Sequence, residues 1–562
     1  MKKIISMILS AVLLMGCLAM ASGCKTKDKT VKDEKTINVR VYKAGFGDLF
    51  IYDLKKNFEQ VYEAEGYKVN IMTPSSSSSG TNMIQEMSRG YAKTQIDLYV
   101  TGAIMPNQVS AEMGEYGEVC EDLEQIVFNQ KAIGYDGKES EKTISQMLSP
   151  DLVPFLRADN GTMYGVPWAQ TSAGVVVNTK KLSAYGVTEL PRTTDEMFEI
   201  FDMIYNGANG IKGSEESKTY PVTYNLSVDQ GGASTYQNVA ILNWLAQFDI
   251  DAYNQFLRMQ TRSANGWVNM EDGYKVFENP NLKKVLEEGF RLMDMKYSAD
   301  GSSEQDLDQA QGLIMKDANG QNNAVFMMNG DWFLNEVKAN YPDKLNDIAF
   351  MNVPVISALG VQLFGAGTSY GLSDGDCDDL LSYICKLVDE NKTVDEIVAL
   401  VGTEKGITLA KEDAQKVATA RGIYFSRGIE HLSFITKGST KKNIAALFLR
   451  MIASKDFAET FMSRANGSSP YTMDIDTTSQ YAFINQAQKL VSNVHFRAIN
   501  SRIEGLRFKV MASDYIIPNQ RNLALTLYSK AKNTSYADAA LNLYNESLTS
   551  ATNKWNEYVA KN

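Results

Sequence analysis

The sequence predicts an α/β protein of two lobes with a mainly helical C-terminal part. Three observations carry this. Short β-rich runs alternate with segments of helical apolar spacing from Thr36 onward, the alternation restarts near Val175, and from about Asp376 to Asn562 the apolar stripes are almost all helical.

In the first series Ile37 to Tyr42 is a β-rich run ended by Gly45-Phe46-Gly47. Leu49 to Tyr62 then sets Leu49, Phe50, Tyr52, Asp53, Leu54, Phe58 and Val61 mostly on one helical face. Lys68 to Met72 is the next strand, Asn82 to Ser88 a helix, and Ile96 to Val100 a third strand. This βαβαβ order implies a parallel sheet with right-handed crossovers. In such sheets ligands sit beyond the carboxyl ends of strands, which points to Gly45 to Asp48 and Thr101 to Ala103. The second series runs through Val175 to Val177, a helix at Thr194 to Tyr205 and a strand at Pro221 to Tyr224. Helices follow at Thr235 to Phe248, Pro280 to Lys296 and Gln305 to Lys316. Ala324 to Met328 is then a strand, Asp331 to Ala339 a helix and Ile348 to Met351 a strand. Apolar stripes such as Ala445, Phe448, Met451 and Ile452, and the late residues Leu541, Tyr544 and Trp555, mark the helical remainder, where Trp555 reads as core.

With 562 residues, 44% hydrophobic and 22% charged, the composition excludes wholesale disorder and collagen-like repeats. The net charge is −11. Seven lysines against three acids in the first 35 residues leave the body near −15, which repels phosphate backbones and argues against nucleic acid as a partner.

Lys2 and Lys3, an apolar run from Ile4 to Ala21 and a sudden lysine-rich stretch have the layout of an export signal. Ala21-Ser22-Gly23-Cys24 resembles a bacterial lipobox, which makes residues 1–23 a signal peptide, Cys24 the lipidated first residue and 24–35 a solvated tether. Leu14-Met15-Gly16-Cys17 is a competing match, and an uncleaved anchor of 18 residues is the plainer alternative. Every one of these readings puts the body outside the cytoplasm. The remaining Cys120, Cys377 and Cys385 are odd in number and, with only His431 and His495 present, fit neither a disulfide framework nor a zinc site. They read as buried thiols.

Several segments, in order, carry a resemblance. They are Gly161-Thr-Met-Tyr-Gly-Val-Pro-Trp168, Ala173-Gly-Val-Val-Val-Asn178-Thr-Lys-Lys-Leu182 with Tyr185-Gly-Val, and Leu190-Pro-Arg-Thr-Thr-Asp-Glu-Met197. Ala324-Val-Phe-Met-Met-Asn-Gly-Asp-Trp332 and Phe434-Ile-Thr-Lys-Gly-Ser-Thr-Lys-Lys-Asn443, closed by Ser469-Pro470, follow. Together they resemble the family 1 extracellular solute-binding proteins, with Thr194 in place of that family's usual Trp. The match covers most of Thr36 to Pro470, and Asp374 to Glu430 departs from it as an extra helical insertion.

The resemblance implies a periplasmic-binding-protein-like clamp with a hinge. Lobe one is expected from 36–167 plus 355–469, including the insertion at about 374–430, and lobe two from 168–354 plus 470–562. It implies a monomer that captures a solute, most plausibly a sugar or oligosaccharide, and delivers it to an ABC transporter permease, with neither metal nor cofactor. Sugars present apolar C–H faces and rims of hydroxyls, so aromatic plates and side-chain acceptors are the expected chemistry. Trp332 matches the family's stacking aromatic, with Asp331 beside it as acceptor. Trp168 falls where the chain crosses between lobes, and Phe46 and Asp48 sit in the glycine-flanked loop after the first strand, where Asp48 alternatively caps the following helix. Trp244, Trp267 and Tyr370 complete the candidates.

Gly367-Thr-Ser369-Tyr-Gly371 has the spacing of a hydrolase nucleophile elbow, but it runs into a turn sequence rather than a helix, which argues against catalysis. Asp374, Asp376 and Asp378 start like a calcium loop and then lack its glycine and its acidic end. A surface glycan-binding or adhesion lipoprotein remains the alternative in another class, with a secreted hydrolase behind it.

Overall fold

Two mixed sheets, one per lobe, organise the chain. The computed structural model describes residues 29–562 apart from 43–44, 73–79, 103, 111–117, 150–151, 214–215, 227–234, 264–265, 300, 303, 318–320, 427–430, 477, 480, 493–496, 500–502, 512–522 and 531–534. The signal, Cys17 and Cys24 lie outside the described residues. Among the described residues no helix is long and apolar enough to cross a membrane.

The first sheet has the order Lys68–Met72, Thr36–Val41, Leu98–Val100, Leu432–Ile435, Gly165–Pro167. Its first three strands are parallel, as the βαβαβ pattern requires, and Leu432–Ile435 runs antiparallel to both of its neighbours. Helix Leu49–Val61 buries Phe50, Ile51, Leu54 and Phe58, one stripe of its surface, against the sheet and the helices Lys442–Ile452 and Lys455–Ala465.

In the second sheet the order is Arg497–Ile499, Ile423–Ser426, Ser172–Asn178, Asn323–Gly330, Thr219–Thr223, with Ile348–Met351 also paired to Ser172–Asn178. Ser172–Asn178 is buried at every position, as a strand covered on both faces must be. Gly174 is required there, because a Cβ would collide with the carbonyl of Met351 on the neighbouring strand. Helix Thr194–Asn206 opens with a capping box in which Thr193 and Glu196 satisfy each other's backbone N–H groups.

Residues 355–426 belong to the second lobe, not to lobe one as the sequence led us to expect. Strand Ile423–Ser426 pairs with Ser172–Asn178, and helix Asp374–Asp389 is tied to Thr194–Asn206 by Thr193 Oγ1 donating to Asp378 Oδ2 at 2.8 Å and by Ser382 donating to Glu196. The apolar face of that helix, including Cys377, Leu381, Ile384 and Cys385, is buried. A helical run carries no label for the sheet it will cover, so the spacing that revealed these helices left their lobe open.

The chain therefore crosses between sheets three times: between Pro167 and Ser172, between Ser426 and Leu432, and between Tyr471 and Ala482. These crossings lie side by side. Trp168 N donates to the His431 carbonyl at 3.0 Å, Gln170 N to the Ser468 carbonyl at 2.9 Å, and Gln170 Nε2 to Tyr424 Oη at 2.8 Å. At the C-terminus, helix Tyr536–Lys561 packs on Pro280–Leu292, and Gly273 leaves the space that the buried Trp555 ring fills.

Candidate functional site

The strand Asn323–Gly330 ends in Gly330-Asp331-Trp332 and turns at once into the short helix Phe333–Val337. A Cβ on Gly330 would collide with the Trp332 indole, so the ring occupies the space that a side chain there would fill. From the opposite lobe, the loop after Thr36–Val41 brings up Gly45, whose added Cβ would meet Trp332 Cδ1 at 3.0 Å and Glu336 Oε1 at 2.9 Å. The indole is thus held between two positions without side chains, one from each lobe.

Phe46 continues this wall. Its ring centroid lies 6.5 Å from Trp332, 6.2 Å from Trp168, 5.9 Å from His431 and 5.2 Å from Phe461, all edge to face. Trp168 is stacked on Phe50 at 5.3 Å and donates its indole N–H to the Thr101 carbonyl at 2.9 Å. The lobes touch here: Asn335 of the second lobe donates to the Ala465 carbonyl of the first and accepts from Asn466 Nδ2 at 3.0 Å.

Two carboxyl groups flank Trp332. Asp331 Oδ2 accepts from Ser172 N at 3.0 Å and Ser172 Oγ at 3.4 Å, while Oδ1 is buried with no hydrogen-bond partner. Burial pushes this carboxyl up to about 7. Glu336 accepts from Gln311 Nε2, and loss of solvent pushes it up to about 7 as well, with Asp308 adding to the shift. The arrangement offers an aromatic plate, a second aromatic edge and acceptors. Among the described residues no cluster of three or more His, Cys, Asp and Glu is placed to hold a metal.

No protein-family model and no curated protein matches this sequence. Solved structures do match, over nearly the whole chain. Apo RafE from Streptococcus pneumoniae aligns at 12% identity and TM-score 0.55, covering 93% of this chain and 100% of that one. Maltose-bound MalE3 from T. maritima aligns at 16% and 0.54, covering 92% and 99%. The binding protein MsmE from Bacillus subtilis, in an open conformation, aligns at 15% and 0.50, covering 92% and 98%. The fold is that of the bacterial solute-binding proteins.

On this solute-binding fold the candidates separate. Phe46, Trp168, Asp331 and Trp332 come together where the lobes meet. Asp48 occupies the N-cap position of Leu49–Val61, without a side-chain capping hydrogen bond. Trp244 does not reach the cleft: it is fully buried on helix Thr235–Phe248 and donates to the Pro354 carbonyl at 3.0 Å, because that helix is covered nearly all round. Tyr370 is also elsewhere, on the second lobe, its hydroxyl donating to Asp413 at 2.8 Å and accepting from Ala410 N. Trp267, expected in a polar loop, lies on the strand Gly266–Asn269 of a hairpin, under the Arg258 guanidinium at 4.5 Å. Arg258 in turn pairs with Glu504 and, across the lobes, with Asp159. Gly367 to Gly371 forms turns between two helices, with Gly365 and Leu372 bridged, so no strand feeds Ser369 into an elbow.

Sequence reasoning missed Glu336, Gln311, Asn335, His431 and Phe461. Glu336 had a signal, since it stands one helical turn after Trp332 and shares its face. His431 was visible only as one of two histidines.

Proposed function

We propose that the protein is a lipid-anchored receptor that captures a sugar or oligosaccharide between its lobes and delivers it to an ABC transporter permease. The observation that carries this reading is the Trp332 plate facing Phe46 across the lobes, with the unpartnered Asp331 Oδ1 beside it. Apolar sugar faces stack on such a plate, and a hydroxyl supplies the hydrogen bond that Oδ1 lacks. Among the structural neighbours, RafE is solved with raffinose, MalE3 with maltose, and another is a chitin oligosaccharide binding protein.

The mechanism is clamp closure. A ligand touching both lobes stabilises the closed population by its differential affinity, and the closed shape is what a permease reads. Calorimetric titration against raffinose, maltose, galactose and chitin oligosaccharides tests the assignment, with saturable heat for at least one. Heat for none of them, together with binding of peptides, overturns it. Anchoring rests on Cys24, so Cys24→Ala is expected to release the protein from membranes. Retained lipid labelling would move the anchor to Cys17.

A further inference from the structure

A pocket of about 310 Å³ opens on the second lobe, and none of its lining residues belongs to the aromatic cleft. Its walls are the turn before Thr193, the end of strand Ile348–Met351, the last residues of helices Asp374–Asp389 and Lys411–Gly422, and helix Ala482–Ser492.

Three cations gather there around one carboxylate. Arg421, 8% exposed, donates Nε and Nη2 to the two oxygens of Asp389 at 2.8 and 2.9 Å. Arg192 Nε lies 3.8 Å from the same carboxylate, and Lys489 Nζ donates to the Asp389 backbone carbonyl at 3.2 Å. Glu189 takes only Arg192 Nη2, at 2.9 Å. Two donors are left over: Arg421 Nη1 and Arg192 Nε are buried without a hydrogen-bond partner. Buried guanidinium donors left open are unfavourable unless a guest takes them.

The lining thus carries three positive charges against two negative, a surplus of one. Beside the amides of Asn352 and Gln486, the rest of the wall is apolar, with Leu190, Phe350 and Leu490 prominent. A neutral sugar leaves the surplus unbalanced, and a bare inorganic anion leaves the apolar wall and most of the volume unfilled. We infer that this pocket is a second binding site, for a small organic monocarboxylate whose carboxylate accepts from Arg421 Nη1 and Arg192 Nε and whose hydrocarbon body lies on Leu190, Phe350 and Leu490. A planar carboxylate matches the guanidinium fork, and the open edge of Arg421 is the one that Asp389 leaves free.

Titration of the full chain with hexanoate, hexanol and inorganic phosphate tests this. Hexanoate is expected to bind saturably at one site, with hexanol and phosphate each weaker by roughly tenfold or more. Lys489→Glu changes an exposed side chain, so the fold is retained, and hexanoate affinity is expected to fall roughly tenfold. Arg421→Lys keeps the charge and removes the fork; the same loss is expected, read alongside its melting curve. Saccharide binding in the cleft is expected to stay unchanged in Lys489→Glu. Absence of saturable hexanoate binding, equal binding of hexanol or phosphate, or undiminished affinity in Lys489→Glu overturns the assignment.

Discussion

Asp97 in the first lobe and the cleft carboxyls Asp331 and Glu336 in the second are buried in opposite ways. In the first lobe Asp97 is fully buried and fully used: it pairs with Lys441 at 3.0 Å and accepts from Asn38 N at 2.8 Å and Ser439 Oγ at 2.7 Å, while Lys441 also reaches the Thr36 carbonyl at 2.6 Å. In the second lobe Asp331 and Glu336 form no ion pair among the described residues, and Asp331 keeps one oxygen unpartnered. A satisfied buried pair fixes the positions of three chain segments. Carboxyls held short of partners leave the interface dependent on what enters it. The Asp97–Lys441 pair thus serves the fold, and Asp331 and Glu336 serve the cleft.

Removing one partner of the first pair is the most drastic way to break this contrast. Asp97→Ala strands the buried Lys441 ammonium, and a cost of about 3–5 kcal/mol is expected in urea unfolding. Adding Lys441→Met to Asp97→Ala is expected to recover part of it, since no unpaired charge then remains. A single variant as stable as the parent would show that the pair is not the staple its geometry describes. In the second lobe the readout changes from stability to binding. Trp332→Ala is expected to weaken saccharide affinity by about 1–3 kcal/mol with little loss of fold. Trp244→Phe is its control: losing the bond to Pro354 is expected to cost about 1–2 kcal/mol in stability and nothing in affinity. Affinity that follows Trp244 instead of Trp332 would place the plate in the wrong part of the lobe.

How far the sequence foresaw this depends on how local each feature is. Lys68–Met72, Thr235–Phe248 and Ile348–Met351 occupy the very residues that the sequence marked, because each is set off by its local composition from the polar or turn residues around it. Hairpin Gln260–Ser263 with Gly266–Asn269 escaped detection, since it is polar or exposed on both faces and so has no alternation to read. The glycine-flanked positions of Phe46 and Trp332 were legible because close backbone approach demands glycine, and the collision of a Cβ at Gly330 or Gly45 shows that demand in space. Trp244 was misplaced for the opposite reason: a helix buried nearly all round offers no polar face to show which tryptophan is core. Glu336 was unread because its environment is assembled from Gln311, Gly45 and Trp332, residues distant along the chain.

The finest test concerns protons at the cleft. Loss of solvent where the lobes meet raises the Glu336 carboxyl to about 7, from an ordinary value near 4.5. In the proposed clamp mechanism, where closure removes that solvent, the closed state holds the proton more tightly than a water-exposed carboxyl does. Its contribution to closure is fully present below the ordinary value and is lost as pH rises through about 7. Saccharide affinity is thus expected to fall from pH 5 to pH 8. Because Glu336 keeps part of its surface in solvent, the fall should be only a few-fold, about 1 kcal/mol or less. Glu336→Gln carries a permanent neutral amide and should flatten that slope, leaving the share due to Asp331, which shifts in the same direction. A slope unchanged in Glu336→Gln would assign the proton to Asp331 alone. A slope of opposite sign would mean that the guest itself brings a cation to these carboxyls, and the neutral-sugar reading would fall with it.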